Sequence, residues 1–293
     1  MLFQRVVTAL LLLPIVFGAL FFLPIEAFAG FGALVMAGCA WEWARLIGLQ
    51  GSLSRLAYVT VVLALIAGLM AVSDPLPVWP AVALSHNLPE WVLLIGSLFW
   101  LLAAFPLVVS YPGSAAIWNR GVWLPGLMGL ILFVSTWVGM VCLRANGVLG
   151  EWEDFRRGGF LVLFLFAIIW AADVGAYFAG RAFGRHKLAP LVSPGKTIEG
   201  FIGGLVVVAL VGYGGVRWLE LPTGEWPKIA ILVLCTALAS VLGDLFESMV
   251  KRNRGVKDSG NLLPGHGGLL DRLDSMLAAT PVFALLFIWF GFR

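Results

Sequence analysis

Apolar runs long enough to cross a hydrocarbon core about 30 Å thick, which takes about 20 residues as a helix, recur from one end of this chain to the other. The runs fall at 3–23, 27–44, 56–72, 91–109, 121–143, 159–180, 198–219, 228–250 and 276–292. In lipid a backbone must satisfy its own hydrogen bonds, so runs of this kind fold as helices. The expected fold class is therefore all-α: a polytopic integral membrane protein of about nine transmembrane helices, with 1–293 forming a single transmembrane domain. Composition agrees, since 61% of the 293 residues are hydrophobic and 12% charged, against roughly half and a quarter in soluble domains. The three cysteines, Cys39, Cys142 and Cys235, lie in apolar runs without CxxC spacing, which predicts packing residues and no disulfide framework or zinc site. The first run lacks a convincing cleavage site and is followed by further spans, so it is expected to remain as a helix.

Orientation follows from lysine and arginine, which are in excess in cytoplasmic loops. With the N-terminus inside, the inner face receives Arg5, Arg45, Arg55, Arg120, Arg181, Arg185, Lys187, Lys196, Lys251, Arg252, Arg254, Lys257 and Arg272, which is thirteen of the nineteen basic residues. The outer face holds acidic Asp74, Glu90, Glu151, Glu153, Asp154, Glu220 and Glu225. The expected topology is N-in and C-out. The net charge of +3 then reports topology and gives no reason to expect nucleic acid. The same arrangement puts the loops between the sixth and seventh runs and between the eighth and ninth on one face, within reach of a cytosolic nucleotide.

The richest stretch is Ser240 to Ser275. Asp244 and Glu247 stand three apart, as do Asp271 and Asp274, so each pair shares a helix face. Carboxylates beside membrane helices are costly unless paired or metal-bound. Hard oxygen donors suit magnesium, which binds through one or two carboxylates together with phosphate and water oxygens. Between the pairs lie Lys251, Arg252, Arg254 and Lys257, then Pro264-Gly265-His266-Gly267-Gly268. Cations and exposed backbone N–H groups are what a polyphosphate or lipid phosphate needs. A plain positive-inside loop with a glycine hinge, and salt bridges from the aspartates to Arg252 and Arg272, are the competing structural readings.

A second polar stretch, Gly184 to Gly200, contains Ser193-Pro194-Gly195-Lys196-Thr197. Ser193 followed by Pro194 predicts a helix start with Ser193 as N-cap, placing Lys196 and Thr197 in a first turn that favours an anion. A P-loop is excluded, because Pro190 stands where its first glycine belongs. Asp173 falls within the sixth run, with Tyr177 one turn later as a hydrogen-bond partner. Glu26, Glu42 and Glu151 to Asp154 are expected to be interfacial or solvated charge, His86 and His186 to be solvated, and Trp41, Trp43, Trp91, Trp100 and Trp123 to anchor span ends at the membrane interface.

The segment Ser248-Met249-Val250-Lys251-Arg252, Lys257-Asp258, Leu263 to Gly268 and Asp271-Arg272-Leu273-Asp274 resembles the full signature of the phosphatidate cytidylyltransferase family. The stretches Asp173–Gly184 and Ser193–Gly204 are also similar to that family, with Gly195 where many members carry lysine. The resemblance covers roughly 165–280, while the N-terminal helices share only hydropathy. It implies transfer of a cytidylyl group from CTP to phosphatidic acid, giving CDP-diacylglycerol and pyrophosphate, with Mg2+ as cofactor. It implies a homodimer in the bacterial cytoplasmic (inner) membrane, with the active site facing the cytoplasm and membrane lipid as a partner. On this reading 1–150 is a lipid and dimer scaffold and 165–280 carries catalysis. Asp244, Asp271 and Asp274 hold the metal and act with Lys196 in catalysis. Substrate is bound by Ser193, Lys196, Thr197, Ser248, Lys251, Arg252, Lys257, Asp258, His266, Gly267, Gly268 and Arg272, with Asp173 and Glu247 in support.

Two rivals are weaker. A cation-coupled transporter would use Asp173 and Asp244 as an ion path, but no inverted repeat is detectable and the charge gathers on one face. A CDP-alcohol phosphotransferase would carry a spaced aspartate–glycine motif, which is not found here.

Overall fold

The computed structural model describes residues 2–72, 88–146, 157–219, 221 and 223–292, the side chains of 2–7 and 9 excepted. Asp74, His86, Glu151 to Asp154 and Glu220, as well as the Arg5 side chain, lie outside the described residues. Helices dominate: α1 (Leu2–Phe22), α2 (Ile25–Leu46), α3 (Ser52–Val72), α4 (Leu88–Val109), α5 (Trp123–Ala145), α6 (Arg157–Phe183), α7 (Ile198–Trp218), α8 (Trp226–Asn253) and α9 (Leu270–Trp289). By length and composition, α2 to α9 are eight helices able to cross a membrane, and α1 contributes the shorter apolar stretch Leu10–Phe22.

The helices alternate direction, so the bundle has two distinct ends. At one end Arg254, just past α8, donates to the carbonyls of Leu46 and Ile47 at the close of α2 (both 2.6 Å). Trp43 Nε1 near the end of α2 donates to Pro125 O at the start of α5 (3.0 Å). At the other end Arg144, near the end of α5, donates to Leu23 O just after α1 (3.1 Å), and Trp289 near the end of α9 donates to Glu90 at the start of α4. The two polar loops, 184–197 and 254–269, both lie at the first end.

Small residues let α6 and α7 approach backbone to backbone, the usual way membrane helices pack when no hydrophobic drive separates helix from lipid. A Cβ on Gly175 would fall 2.9 Å from Gly204 Cα, and one on Gly204 would fall 2.7 Å from Ala172 O. Between these two helices runs an element that sequence reasoning placed wrongly. Residues 193–197 do not begin a helix; they form strand β2 (Ser193–Thr197), antiparallel to β1 (Lys187–Ala189). Helix α7 starts after Thr197, which has extended backbone (φ −125°, ψ 155°) and whose Oγ1 accepts from Gly200 N at 3.1 Å. Thr197 followed by Glu199 in the first turn is a second start signal, and the pairing of 193–197 with β1 leaves it as the one the chain uses. Proline is tolerated in β2 because two-stranded hairpins are all edge.

The tryptophans divide. Trp91 and Trp123 are exposed, as membrane-facing anchors should be, but Trp43 and Trp100 are buried in the core. Trp43 stacks on Phe246 (centroids 6.2 Å apart, planes at 18°), while Phe99 and Trp100 meet the same ring edge-on. This aromatic layer joins α2, α4 and α8 immediately beside Glu42 and Glu247. Cys39 and Cys142 are buried and Cys235 is half-buried, all three as free thiols.

Candidate active site

Two acidic groups and two loops meet at the first end of the bundle. Helices α8 and α9 touch at Gly243, where an added Cβ would run into the backbone carbonyl of Asp274. That close approach brings Asp244 and Glu247 beside Asp274. Glu247 is buried, and neither of its oxygens accepts a hydrogen bond among the described residues. Lys251 Nζ lies 3.3 Å from its Oε2, and the Asp274 carboxyl is its near neighbour.

Asp271, on the same turn, has a different task. Its carboxylate accepts from Lys251 Nζ (2.7 Å), from Ser259 N (3.0 Å) and from Gly268 N (2.9 Å). Through the two backbone donors it ties both ends of loop 259–268 to α9, and through Lys251 it ties α9 to α8. Among the described residues no three acidic, imidazole or thiol side chains converge on one metal position, so Asp244, Asp271 and Asp274 do not form a closed ligand set. The donors that remain do fit magnesium, which needs only one or two carboxylates plus phosphate and water oxygens. Glu247, whose Oε2 lies beside Lys251, and the adjacent Asp274 supply them, with Asp244 one turn away.

Lys196 comes from β2 and pairs with Asp244 Oδ2 at 2.5 Å, while Ser248 Oγ donates to Asp244 Oδ1 at 3.2 Å. The Lys196 ammonium also feels Asp173 on α6. Together they border a cavity of about 500 Å³ between α6, α7, α8 and the hairpin, lined by Asp173, Tyr177, Arg181, Lys196, Thr197 and Phe201. Tyr177 does not pair with Asp173; its hydroxyl accepts from Arg181 at 3.1 Å. Ser193 stands at the far end of β2, opposite Ala189.

Most of the basic cluster serves the architecture. Lys251 is held between Glu247 and Asp271. Arg252 Nε donates to Val192 O (3.3 Å), docking the hairpin onto α8. Arg272 donates twice to His266 O (2.9 and 2.6 Å), and Arg254 clamps α2 as described above. Lys257 and Asp258 are exposed at the rim. Segment Leu263–His266 has the marks of a type II turn: Pro264 in second place, Gly265 at φ +76°, and His266 N donating to Leu263 O (2.9 Å). Gly267 (φ +82°) then reverses the chain, so both glycines occupy backbone that a side chain would strain. His266 carries a buried Nδ1 with no partner among the described residues, beside that turn.

His186 is exposed, as expected, and its Nδ1 lies 2.6 Å from Glu199 Oε1, while Glu199 also accepts from Arg185 N (3.0 Å); this clamp ties the start of the hairpin to α7. One expectation needs correction. Glu42 is neither interfacial nor solvated. It is 2% exposed, with Ser259 Oγ at 3.1 Å and Leu270 N at 2.9 Å from its Oε2. The only trace in the sequence was a carboxylate inside an apolar run, which is a functional signal by default.

Comparison with known proteins adds the family. The model of the cytidylyltransferase family matches residues 3–290, so the likeness includes the N-terminal helices as well as the polar loops. A phosphatidate cytidylyltransferase of Pseudomonas aeruginosa is 43% identical over 296 residues, covering 99% of this chain and 97% of the relative. One from Haemophilus influenzae is 39% identical, covering 99% of both. One from Staphylococcus aureus is 35% identical over 198 residues, 62% of this chain and 76% of the relative.

Proposed function

Because this chain belongs to the cytidylyltransferase family, we propose that it transfers a cytidylyl group from CTP to phosphatidic acid, forming CDP-diacylglycerol and pyrophosphate. The observation that carries this reading is the likeness to phosphatidate cytidylyltransferases along nearly the whole chain. Nothing in the comparisons favours a transporter.

In the reaction a phosphatidate oxygen bonds to the α-phosphorus of CTP, and the bond from that phosphorus to the β-phosphate oxygen breaks. A phosphomonoester with its second pKa near about 6 is already mostly dianionic at neutral pH, so little general-base help is required. The obstacle is charge, since two polyanions must meet. Lys196 at the cavity rim is placed to neutralise phosphate, and Arg181 lines the same cavity. Magnesium held by Glu247 and Asp274, with Asp244 beside them, would supply Lewis-acid stabilisation of phosphoryl oxygens and of the leaving pyrophosphate. Asp271 fixes the loop and Lys251, which keeps a positive charge among the carboxylates. The cavity, walled by apolar α6 and α7 and opening between polar groups, matches a substrate with acyl chains and a phosphate head. A homodimer, and residence in the bacterial cytoplasmic membrane, rest on the family resemblance.

The direct test uses purified protein in detergent with labelled CTP. Label is expected to enter chloroform-soluble lipid only when both phosphatidic acid and magnesium are present; no incorporation with both supplied in excess would sink the assignment. Orientation has its own test. The site end is proposed to face the cytoplasm, because thirteen of nineteen basic residues group on that side. A topology reporter after Lys187 or Lys257 should read cytoplasmic and one near Glu225 external. The reverse pattern would cut the site off from cytosolic CTP.

A further inference from the structure

We propose that Glu42 is a positioning residue for cytidylyl transfer, a buried carboxylate on α2 that holds the glycine-rich loop and the first turn of α9 where the reacting phosphates need them. The proposal rests on the function just given.

A helix leaves its first N–H groups without intrahelical partners. Helix α9 follows Leu269, which has no side chain able to cap it. The N–H of Leu270 is met instead by Glu42 Oε2, 228 residues away in sequence. The same oxygen accepts from Ser259 Oγ, and Ser259 N and Gly268 N are bound by Asp271. Glu42 and Asp271 therefore grip one loop from opposite sides. The fit leaves no slack: a Cβ on Gly260 or on Gly268 would collide with the Glu42 carboxylate. These two glycines are required by close approach, since neither has positive φ.

Glu42 is itself fixed. Its neighbour Trp43 is held by Pro125 O and by the stack on Phe246, so α2 cannot rotate the carboxylate away. Burying a carboxylate is costly, and the two donors it satisfies here, Ser259 Oγ and Leu270 N, both belong to the loop and the helix start. Glu42 Oε1 has no hydrogen-bond partner among the described residues. A half-satisfied buried carboxylate that reaches the segment bearing Asp271 and Asp274 is better explained by control of that segment than by packing. Displacing a catalytic group by about 1 Å costs on the order of a hundredfold in rate, so slack in this loop has large leverage.

The experiment compares Glu42→Ala, Glu42→Gln and Ser259→Ala with the wild type in detergent. It measures turnover per folded enzyme at saturating CTP, KM for CTP, and hydrogen–deuterium exchange of peptides covering 258–270. Glu42→Ala is expected to lower kcat at least about tenfold, leave KM for CTP within about threefold, and speed exchange in the loop. Glutamine keeps one oxygen able to accept both bonds, so Glu42→Gln should restore kcat to within about threefold and restore exchange protection. Ser259→Ala, which loses one bond, should fall between. If Glu42→Ala is folded and turns over within twofold of wild type, or if Glu42→Gln is as impaired as Glu42→Ala, the proposal is wrong. Should Glu42→Ala fail to fold, wild-type turnover and exchange in Ser259→Ala would overturn it instead. Exchange is read without substrate, so a wild-type protein that fails to transfer cytidylyl would condemn the proposed function while leaving the loop contact to be judged on its own.

Discussion

Asp274→Asn yields folded protein without measurable cytidylyl transfer at any magnesium concentration, and its melting temperature without magnesium is equal to or above that of the wild type. The expectation follows from crowding. Asp274 and Glu247 are neighbours across the α8–α9 contact, Asp244 is one turn away, and Lys251 lies 3.3 Å from Glu247 Oε2. One lysine beside several carboxylates leaves an excess of negative charge, which disfavours the fold until a further cation joins them. Removing one carboxylate relieves repulsion in the metal-free protein but leaves an amide that supplies no charge to hold the ion. A loss of at least about a thousandfold corresponds to about 4 kcal/mol of transition-state stabilisation, within the range for a metal clamp on phosphoryl oxygens. Glu247→Gln should behave the same way. Asp271→Asn should differ: it weakens the hold on Lys251, Ser259 N and Gly268 N, so melting temperature falls along with activity. Turnover against magnesium, measured beside melting curves for each variant, separates the two roles. Near-normal turnover with unchanged magnesium dependence in Asp274→Asn would remove it from the metal site.

That Asp271 accepts from backbone N–H groups while Asp274 lies beside Glu247 could not be read from the sequence, where the two stand in equivalent positions of one helix face. Three-residue spacing shows that carboxylates share a face, but it does not show which backbone N–H groups lie opposite. The apolar spans were legible because lipid imposes helices on any run of that length. The meeting of the two polar loops was legible because alternating helices return them to one end. The hairpin at 187–197 was not, because Ser193-Pro194 and Thr197-Ile198-Glu199 are both helix-start signals four residues apart, and local preference cannot rank them. Strand pairing of Lys187 with Thr197 and Ala189 with Ser193 decides for the second. Glu42 was hidden for another reason. Trp41-Glu42-Trp43 has the composition of an interfacial belt, and only the contact with Ser259 and Leu270 shows it turned inward. The arginines misled in the opposite direction: charge type suggested phosphate, whereas Arg252, Arg254 and Arg272 are taken up by the carbonyls of Val192, Leu46, Ile47 and His266.

Subtracting those arginines leaves Lys196 and Arg181 as the cations lining the cavity, and Lys196, beside Asp244 and Asp173, is the first candidate to meet the substrate. Lys196→Met is expected to insert and fold normally yet lose about a hundredfold to ten-thousandfold in turnover. Stability is not the reason. The side chains of Lys196 and Asp244 are 26% and 28% exposed, and a pair so open to solvent is worth about 1 kcal/mol or less. The hairpin keeps its strand pairing, and Glu199 keeps its hold on Arg185 N and His186. A rate loss of two or more decades therefore has to come from contact with phosphate. If Lys196 touches the phosphates of CTP or the departing pyrophosphate, inhibition by added pyrophosphate should weaken in parallel with turnover, whereas a lysine that only neutralised Asp244 would leave pyrophosphate affinity unchanged. Lys196→Arg keeps the charge but cannot place it on the same point, since its planar fork is longer and directional, so partial activity with a raised KM for CTP is the expected intermediate. Wild-type kinetics and wild-type pyrophosphate inhibition in Lys196→Met would sink the assignment and shift attention to Arg181, the other cation lining the cavity.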